Sequence, residues 1–291
     1  MFRMQSYLKL IRINQWIKNF FVFIPLFFSG RIFDAIFVAE SFVGFILFSL
    51  VASSIYIIND YVDIEKDKKH PEKKFRPLAS GVISKKNALI LFFILVFISF
   101  IGIIGLDNYK VGLILLSYFL LNIAYSFKLK QIAILDVMII ATGFLMRVLV
   151  GGYITGIIIS DWTILLTFTL ALILALGKRR GELINLNVTG TTRKSLDGYN
   201  EQFVNAALIV ASTITVVCYL MFILSPETQL KFHHYIVYTF VFVFAGILRY
   251  LQQTFVFEKS ESPTKLIFKD PFLQILILIW GVAYFLLIYY K

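Results

Sequence analysis

Long stretches of apolar residues recur along the whole chain and are separated by short polar segments. Each stretch holds about 17 to 25 residues, which is the length that an α-helix needs to cross the hydrocarbon core of a bilayer. The pattern predicts an all-α integral membrane protein that forms a single domain over residues 1–291. The nine predicted transmembrane helices cover residues 16–30, 35–58, 87–106, 111–126, 132–154, 161–177, 203–224, 235–251 and 272–290.

The composition excludes a soluble globular protein. Hydrophobic residues make up 59% of the 291 residues and charged residues only 15%. A soluble domain of this length could not bury that much apolar surface, whereas a bilayer is its natural solvent.

The basic residues are distributed very unevenly between the two ends of the predicted helices. The formal net charge is +11, and 23 of the 28 Lys and Arg residues fall on the side that holds the N-terminus. Only four fall on the opposite side, and Arg147 lies within a predicted helix. Because positively charged connections stay in the cytoplasm, the N-terminus is predicted to be cytoplasmic. The charge thus indicates topology, and we expect no nucleic-acid partner.

Two of the predicted cytoplasmic connections, 59–86 and 178–202, are long and charged, whereas the connections on the other side are short. Long loops in compact proteins are usually functional, so the sequence predicts an active face in the cytoplasm. The polar segment 256–270 is predicted to be a plain surface loop.

An Asn and Asp cluster stands at the cytoplasmic end of the second predicted helix. In helical geometry Asn59, Asp63 and Asp67 stack at four-residue spacing, and Asp60 lies beside them. Carboxylates at a helix C-terminus repel one another and the helix dipole unless a cation compensates. Mg²⁺ with a diphosphate suits such an incomplete oxygen ligand set. The alternative is a solvated acidic helix end neutralised by nearby lysines at 66, 68 and 69.

Basic residues follow this cluster at three further places. Arg76, beside a rigid proline, and Lys73 before it are candidates for phosphate binding. Lys128 and Lys130 follow the fourth predicted helix. Lys178 and Arg179 end the sixth helix and could either bind an anionic substrate or only stop translocation of the helix.

Two charged residues lie inside the fifth predicted helix. Asp136 and Arg147 are eleven residues apart, so they share a helix face. Intramembrane charges are candidates for function. Asp136 could join the metal site or orient a lysine, while Arg147 could equally be a paired structural arginine between helices.

These motifs together resemble the UbiA superfamily of intramembrane prenyltransferases, over essentially the whole chain. Within it, the sequence is most similar to the decaprenyl-phosphate phosphoribosyltransferase branch. Specific features are Gln15-Trp16-Ile17-Lys18-Asn19, the stretch from His70 to Gly81, Tyr125 to Lys130, Leu135-Asp136 through Arg147, and Gly177-Lys178-Arg179 with Glu182. Ordinary members carry a second Asp-rich motif after the sixth helix, where this chain has Lys178-Arg179-Arg180.

The resemblance implies transfer of a 5-phosphoribosyl group from phosphoribosyl diphosphate to a polyprenyl phosphate in a bacterial inner membrane. It implies Mg²⁺ held by Asn59, Asp63 and Asp67, with catalytic roles for the acids. The implied catalytic residues are Asp60, Asp63, Asp67 and Asp136. The implied substrate-binding residues are Lys18, Lys73, Arg76, Tyr125, Lys128, Lys130, Arg147, Lys178, Arg179 and Glu182.

Two other functions stay open from the sequence. A conventional UbiA-type enzyme would move a prenyl group from prenyl diphosphate to an aromatic or other small acceptor. It would require a second metal site, which this sequence lacks at the expected place. A membrane transporter would be expected to hold its charges near the bilayer midplane, whereas these gather at one interface. The oligomeric state and the length of the lipid do not follow from the sequence.

Overall fold

The computed structural model describes residues 2–185, 194–258, 266–267 and 269–290, and the regular structure of these residues is entirely helical. The α-helices are α1 (Phe2–Leu10), α2 (Ile24–Ser29), α3 (Ala35–Val62), α4 (Ile64–Lys68), α5 (Lys85–Gly105), α6 (Tyr109–Phe127), α7 (Leu135–Thr155), α8 (Asp161–Ile184), α9 (Glu201–Leu224), α10 (Pro226–Phe232), α11 (Phe240–Phe255) and α12 (Pro271–Tyr289). The 3₁₀ helices are Ile13–Phe23, Lys73–Phe75, Leu129–Gln131, Lys194–Gly198 and His234–Thr239. The predicted all-α class is confirmed.

Eight helical segments in the described part of the chain are long and apolar enough to cross a bilayer. They are α3, α5, α6, α7, α8, α9, the segment His234–Phe255 and α12. The chain is therefore a multi-pass membrane protein, although the predicted count of nine and the orientation of the N-terminus are not confirmed. Residues 16–30, the first predicted span, are divided between the 3₁₀ helix Ile13–Phe23 and the short α2.

Side-chain caps start most of the spanning helices at defined residues. The side chains of Asp34, Ser84 and Asn108 accept backbone N–H groups two or three residues later. Ser160, Asn200 and Asp270 do the same for α8, α9 and α12. Each cap pairs one of the N–H groups that a helix start leaves unbonded.

The described chain divides into two compact units, residues 1–159 and 160–291. In the first unit α3 packs against α5, α6, α7 and the 3₁₀ helix Ile13–Phe23. Small side chains on α3, among them Ser49, Ala52 and Ser53, are buried and allow this close approach. A second apolar cluster around Leu10, Ile57 and Ile83 holds the segment between α3 and α5 against the bundle.

In the second unit α8 packs along α9, and α11 packs along α12. Arg180 ties three of these helices together because it bonds to Asn205, Glu201 and the carbonyl of Thr254. Arg249 and Gln253 bond to Asp270 at the start of α12. The predicted loops 178–202 and 256–270 lie partly outside the described residues, and α8 extends to Ile184, past the predicted end at residue 177.

Candidate functional site

The acidic cluster occupies a nearly continuous helix at the end of α3. The backbone N–H of Asp63 donates to the Asn59 carbonyl at 3.0 Å, and that of Asp67 donates to the Asp63 carbonyl at 2.8 Å. Asp63 itself separates α3 from α4, with φ −92° and ψ 8°. The four-residue spacing of Asn59, Asp63 and Asp67 thus follows the helical hydrogen bonds across the junction.

Two of the acids are buried and share one arginine. Asp60 is 2% exposed and Asp67 is 4% exposed. Nη1 of Arg76 donates to Oδ1 of Asp60 at 3.0 Å and to Oδ2 of Asp67 at 2.7 Å. Buried carboxylates require such partners, because an unpaired charge away from water is very unfavourable. The segment that carries Arg76 is therefore anchored directly to the acidic cluster.

A second arginine, Arg12, reaches the same carboxylate and was not among the predicted site residues. Its Nη2 donates to Oδ1 of Asp60 at 2.5 Å, and its guanidinium lies 4.8 Å from the centre of the Tyr56 ring. Arg12 adopts a left-handed backbone conformation, with φ 52°, between α1 and the 3₁₀ helix Ile13–Phe23. No pattern in the sequence points to it, since it precedes Asp60 by 48 residues without any periodic relation.

The third acid of the series faces a lysine. Nζ of Lys130 lies 2.7 Å and 2.8 Å from the two carboxylate oxygens of Asp63, and it comes from the 3₁₀ turn Leu129–Gln131 after α6. The structure thus brings together two predicted site residues that are 67 positions apart. Lys128 is exposed at the end of α6, and Tyr125 is half-buried.

The cations that neutralise the cluster differ from the lysines considered in the sequence. Arg12, Arg76 and Lys130 contact the acids, whereas Lys68 bonds to Glu65 at 2.8 Å. That hydrogen bond and the charge of Lys68 lower the pKa of Glu65. Arginine and lysine side chains also bind phosphate oxygens. Each acid that contacts Arg12, Arg76 or Lys130 therefore lies beside a group that can bind a phosphate.

Asp136 and Arg147 are both buried in α7. Asp136 is fully buried in the first turn of the helix, where the helix dipole favours a negative charge. Arg147 is 5% exposed and donates to the Asn19 side chain, the Tyr118 hydroxyl and the Gly143 carbonyl. Its guanidinium also lies 4.6 Å from the centre of the Phe48 ring. Arg147 therefore joins α7 to α6 and to the 3₁₀ helix Ile13–Phe23, as a structural arginine would.

Two further predicted residues of the first unit lie on 3₁₀ segments. Lys18 is half-buried in the 3₁₀ helix Ile13–Phe23, and Lys73 is exposed in the turn Lys73–Phe75.

In the second unit the predicted residues meet at the end of α8. Arg179 is buried and bonds to Glu182, while Nζ of Lys178 lies 3.9 Å from the same carboxylate and is half-exposed. Glu182 thus orients the two cations. Arg180, which was not predicted, is buried and is occupied by Asn205, Glu201 and Thr254.

The oxygen donors of the first unit fit the chemistry of magnesium. Mg²⁺ takes one or two carboxylates and completes its shell with water and substrate phosphates. Among the described residues no three Asp, Glu, His or Cys side chains converge so as to hold a metal ion by themselves. Asn59, Asp63 and Asp67 nevertheless follow one another at four-residue spacing along the helix, and Lys130 and Arg76 contact the carboxylates of Asp63 and Asp67. A site of this kind needs substrate phosphates to complete it.

Comparisons with known proteins agree over almost the full chain. Residues 20–276 match the UbiA prenyltransferase family. The chain is 34% identical over 285 residues to decaprenyl-phosphate phosphoribosyltransferase from Mycolicibacterium smegmatis, covering 94% of this chain and 89% of that protein. It is 30% identical over 290 residues to decaprenyl-phosphate phosphoribosyltransferase from Corynebacterium glutamicum, covering 97% and 86% respectively.

A solved structure has the same fold. The structure of a UbiA homologue from Archaeoglobus fulgidus bound to GPP and Mg²⁺ superposes with a TM-score of 0.70 and 18% sequence identity. The match covers 97% of this chain and 99% of that one. At 18% identity this likeness establishes the helical fold but does not identify the substrate.

Proposed function

Because the chain belongs to the UbiA prenyltransferase family, we propose that it transfers a 5-phosphoribosyl group from phosphoribosyl diphosphate to a polyprenyl phosphate. The observation that carries this proposal is the similarity, at 34% and 30% identity, to two decaprenyl-phosphate phosphoribosyltransferases over nearly the whole chain.

In the proposed reaction the bond between C1 of the ribose and the diphosphate oxygen breaks, and a bond from C1 to an oxygen of the lipid phosphate forms. The diphosphate leaves with the bonding electron pair, so positive charge develops at C1. The lipid phosphate is already ionised near neutral pH and needs positioning more than a general base. The protein therefore acts mainly by holding two anions in line.

Mg²⁺ bound by Asn59, Asp63 and Asp67 would supply charge stabilisation for the leaving diphosphate. In this proposal Asp60 has a supporting role, since it orients both Arg12 and Arg76. Asp136 is proposed to support the same site from the start of α7.

The proposed anion-binding residues of the first unit are Arg12, Arg76, Lys128 and Lys130, and those of the second unit are Lys178 and Arg179, oriented by Glu182. Arg76 and Lys130 contact two of the carboxylates that are proposed to bind Mg²⁺, so they would lie beside the substrate phosphates that complete its shell. Lys18, Lys73 and Tyr125 are proposed to contact substrate as well. For Arg147 we propose a positioning role through Asn19, in view of its neutral hydrogen-bond partners.

We propose further that the reaction occurs at the cytoplasmic face of a bacterial inner membrane. The excess of basic residues on the side of the acidic cluster supports this orientation.

The test uses purified protein in detergent with Mg²⁺, labelled phosphoribosyl diphosphate and a polyprenyl phosphate. Label should move into the organic phase with wild type and be lost with Asp63→Ala or after chelation of the metal. Asp34→Ala is the matched control, because Asp34 caps α3 at its other end.

A second reaction mixture contains prenyl diphosphate and an aromatic acid. This conventional prenyl transfer is the second candidate, and the fold shared with a homologue bound to GPP favours it. A prenylated product without any phosphoribosyl transfer would overturn the first proposal.

A further inference from the structure

The segment between α3 and α5 presents a strongly cationic surface. Seven of its lysines are exposed, and we call five of them the basic patch, namely Lys66, Lys69, Lys74, Lys85 and Lys86. Within the part of the chain that the structure describes, none of the five forms an ion pair. The acids nearest to them have other salt-bridge partners, since Glu65 bonds to Lys68 and Asp67 bonds to Arg76. Lys85 and Lys69 act on Glu65 only through longer-range charge interactions. Glu72 adds a further negative charge to the segment, and this charge acts on His70.

Two apolar side chains stand exposed beside these lysines. Phe75 is 74% exposed and Val82 is 60% exposed, and Nζ of Lys74 lies 5.1 Å from the centre of the Phe75 ring. Phe75 thus contacts Lys74, but most of its side chain remains exposed to water. Its exposure to water is unfavourable unless another apolar phase receives it.

The position of Phe75 is fixed by the fold. The 3₁₀ turn Lys73–Phe75 is followed by Arg76, which is anchored on Asp60 and Asp67. The backbone N–H of Ile83 donates to the carbonyl of Pro77, and Leu78 and Ile83 are both buried. Phe75 is thus presented outward by a turn that is attached on its C-terminal side to the core.

The ends of this segment determine what Phe75 faces. Val62 ends one membrane-spanning helix and Lys85 begins the next, so the segment lies at the level of the membrane surface. Lysines together with an exposed aromatic residue at this level are typical of segments that bind anionic lipids. We propose that the basic patch and Phe75 dock onto anionic phospholipid headgroups of the membrane that the protein spans, with Phe75 inserted among them.

Topology alone explains lysines on this side, but it explains neither the absence of ion pairs nor the outward Phe75. An acidic protein is the other partner that the charge could accept. Lipid is favoured because both ends of the segment enter the bilayer, which keeps headgroups at a high effective concentration. The proposal is independent of the reaction proposed above and adds a lipid requirement to the segment that carries Arg76.

The test places an environment-sensitive fluorophore at Phe75→Cys in a Cys218→Ser background, because Cys218 is the sole cysteine of the chain and is buried. The labelled protein is placed in nanodiscs of phosphatidylcholine alone or with phosphatidylglycerol. We expect emission at shorter wavelength in the anionic discs. Lys69→Gln and Lys74→Gln should each weaken lipid association about fivefold. Salt of about 1 M should abolish the shift, because it shortens the Debye length to about 3 Å.

Tyr109→Cys is the matched control, since Tyr109 is 78% exposed beside Lys110 at the start of α6, which follows the far end of α5. Its fluorophore should respond much less to phosphatidylglycerol. Hydrogen exchange of unlabelled wild type provides a second measurement, with slower exchange of the amides of residues 73–76 expected in anionic discs.

Three outcomes would overturn the proposal. One is equal emission at position 75 in both lipids together with unchanged exchange. Another is a shift that the Lys→Gln variants leave intact. The third is a shift that polyglutamate produces in phosphatidylcholine discs and phosphatidylglycerol does not, which would assign the patch to an acidic protein.

Discussion

At the residue scale, the candidate site is a set of acids whose partners come from distant parts of the chain. The spacing of Asn59, Asp63 and Asp67 was predictable, because a helix places every fourth residue on one face. The partner of each acid was not, because Arg12 and Lys130 approach through tertiary packing that no local pattern encodes. Arg76 was predicted as a phosphate ligand, and the structure shows it bonded to Asp60 and Asp67.

We expect Arg76→Lys to lower kcat/KM for phosphoribosyl diphosphate about tenfold or more. Arg76 bonds two carboxylates through one nitrogen, and hydrogen bonds to charged groups contribute about 1.5–3 kcal/mol each, where 1.4 kcal/mol is a factor of ten. A lysine keeps the charge but not the planar geometry. Arg31→Lys is the control, since Arg31 is an exposed arginine stacked 4.4 Å from Phe37. Equal activity of the two variants would contradict the role given to Arg76.

The turn after α4 should loosen at acidic pH. Nδ1 of His70 accepts the backbone N–H groups of Glu72 at 3.2 Å and Lys73 at 3.3 Å, which requires a neutral ring. Burial, and then the charge of Lys73, lowers the pKa of His70 below its usual 6.5. When the turn is open the ring takes up a proton more readily. The stability of the turn is therefore complete above pH 6.5 and is lost as the pH falls through the lowered pKa.

Hydrogen exchange of the Glu72 and Lys73 amides measures this effect. After correction for intrinsic rates, protection should be lower at about pH 5 than at about pH 8, across the range in which histidine titrates. His70→Asn serves as control, because its side chain does not titrate. A pH dependence as strong in His70→Asn as in wild type would refute the assignment.

At the element scale, the 3₁₀ helix Ile13–Phe23 is the main departure from the prediction. Hydropathy marked 16–30 as a span, but hydropathy does not distinguish an α-helix from a 3₁₀ helix. 3₁₀ runs beyond about four residues are uncommon, and this one has eleven. Polar contacts hold it, since Trp16 donates to Ser53 and Asn19 donates to Ser49 while accepting from Arg147. These contacts join residues at least 30 positions apart, which is why the sequence did not predict the element.

Gly151→Ala should destabilise the first unit by about 1–3 kcal/mol, which is typical of overpacking. A Cβ on Gly151 of α7 would lie 1.9 Å from the carbonyl oxygen of Val22 in the 3₁₀ helix. Gly246→Ala in α11 is the control, because its Cβ would have no atom within 4 Å. We expect Gly246→Ala to be stabilising by about 0.4–1 kcal/mol. Thermal unfolding in detergent measures both, and a neutral Gly151→Ala would show that the contact with α7 is adjustable.

At the scale of the whole molecule, the composition and the length of the apolar stretches were sufficient to predict the class. A bilayer imposes helices and their lengths, so the all-α class and most span positions followed from hydropathy. Boundaries were less accurate, since α8 extends to Ile184 and the predicted loop 59–86 contains α4 and a 3₁₀ turn. Polar residues near the membrane surface can remain helical, because an α-helix forms its backbone hydrogen bonds within itself. The orientation of the chain rests on charge alone and stays a prediction.

Cysteine accessibility in intact cells tests the orientation. Two variants are made in a Cys218→Ser background. Asn87→Cys places an exposed thiol near the start of α5, and Tyr109→Cys places one at the start of α6. Because α5 lies between the two positions, the thiols are on opposite sides of the membrane. Neither substitution changes a charge, so the basic asymmetry that sets the topology is preserved. If the N-terminus is cytoplasmic, a membrane-impermeant maleimide should label Tyr109→Cys in whole cells and Asn87→Cys only after lysis. The reverse pattern would place the acidic cluster outside the cytoplasm, where soluble phosphoribosyl diphosphate does not reach it, and would count against the proposed reaction as well as the topology.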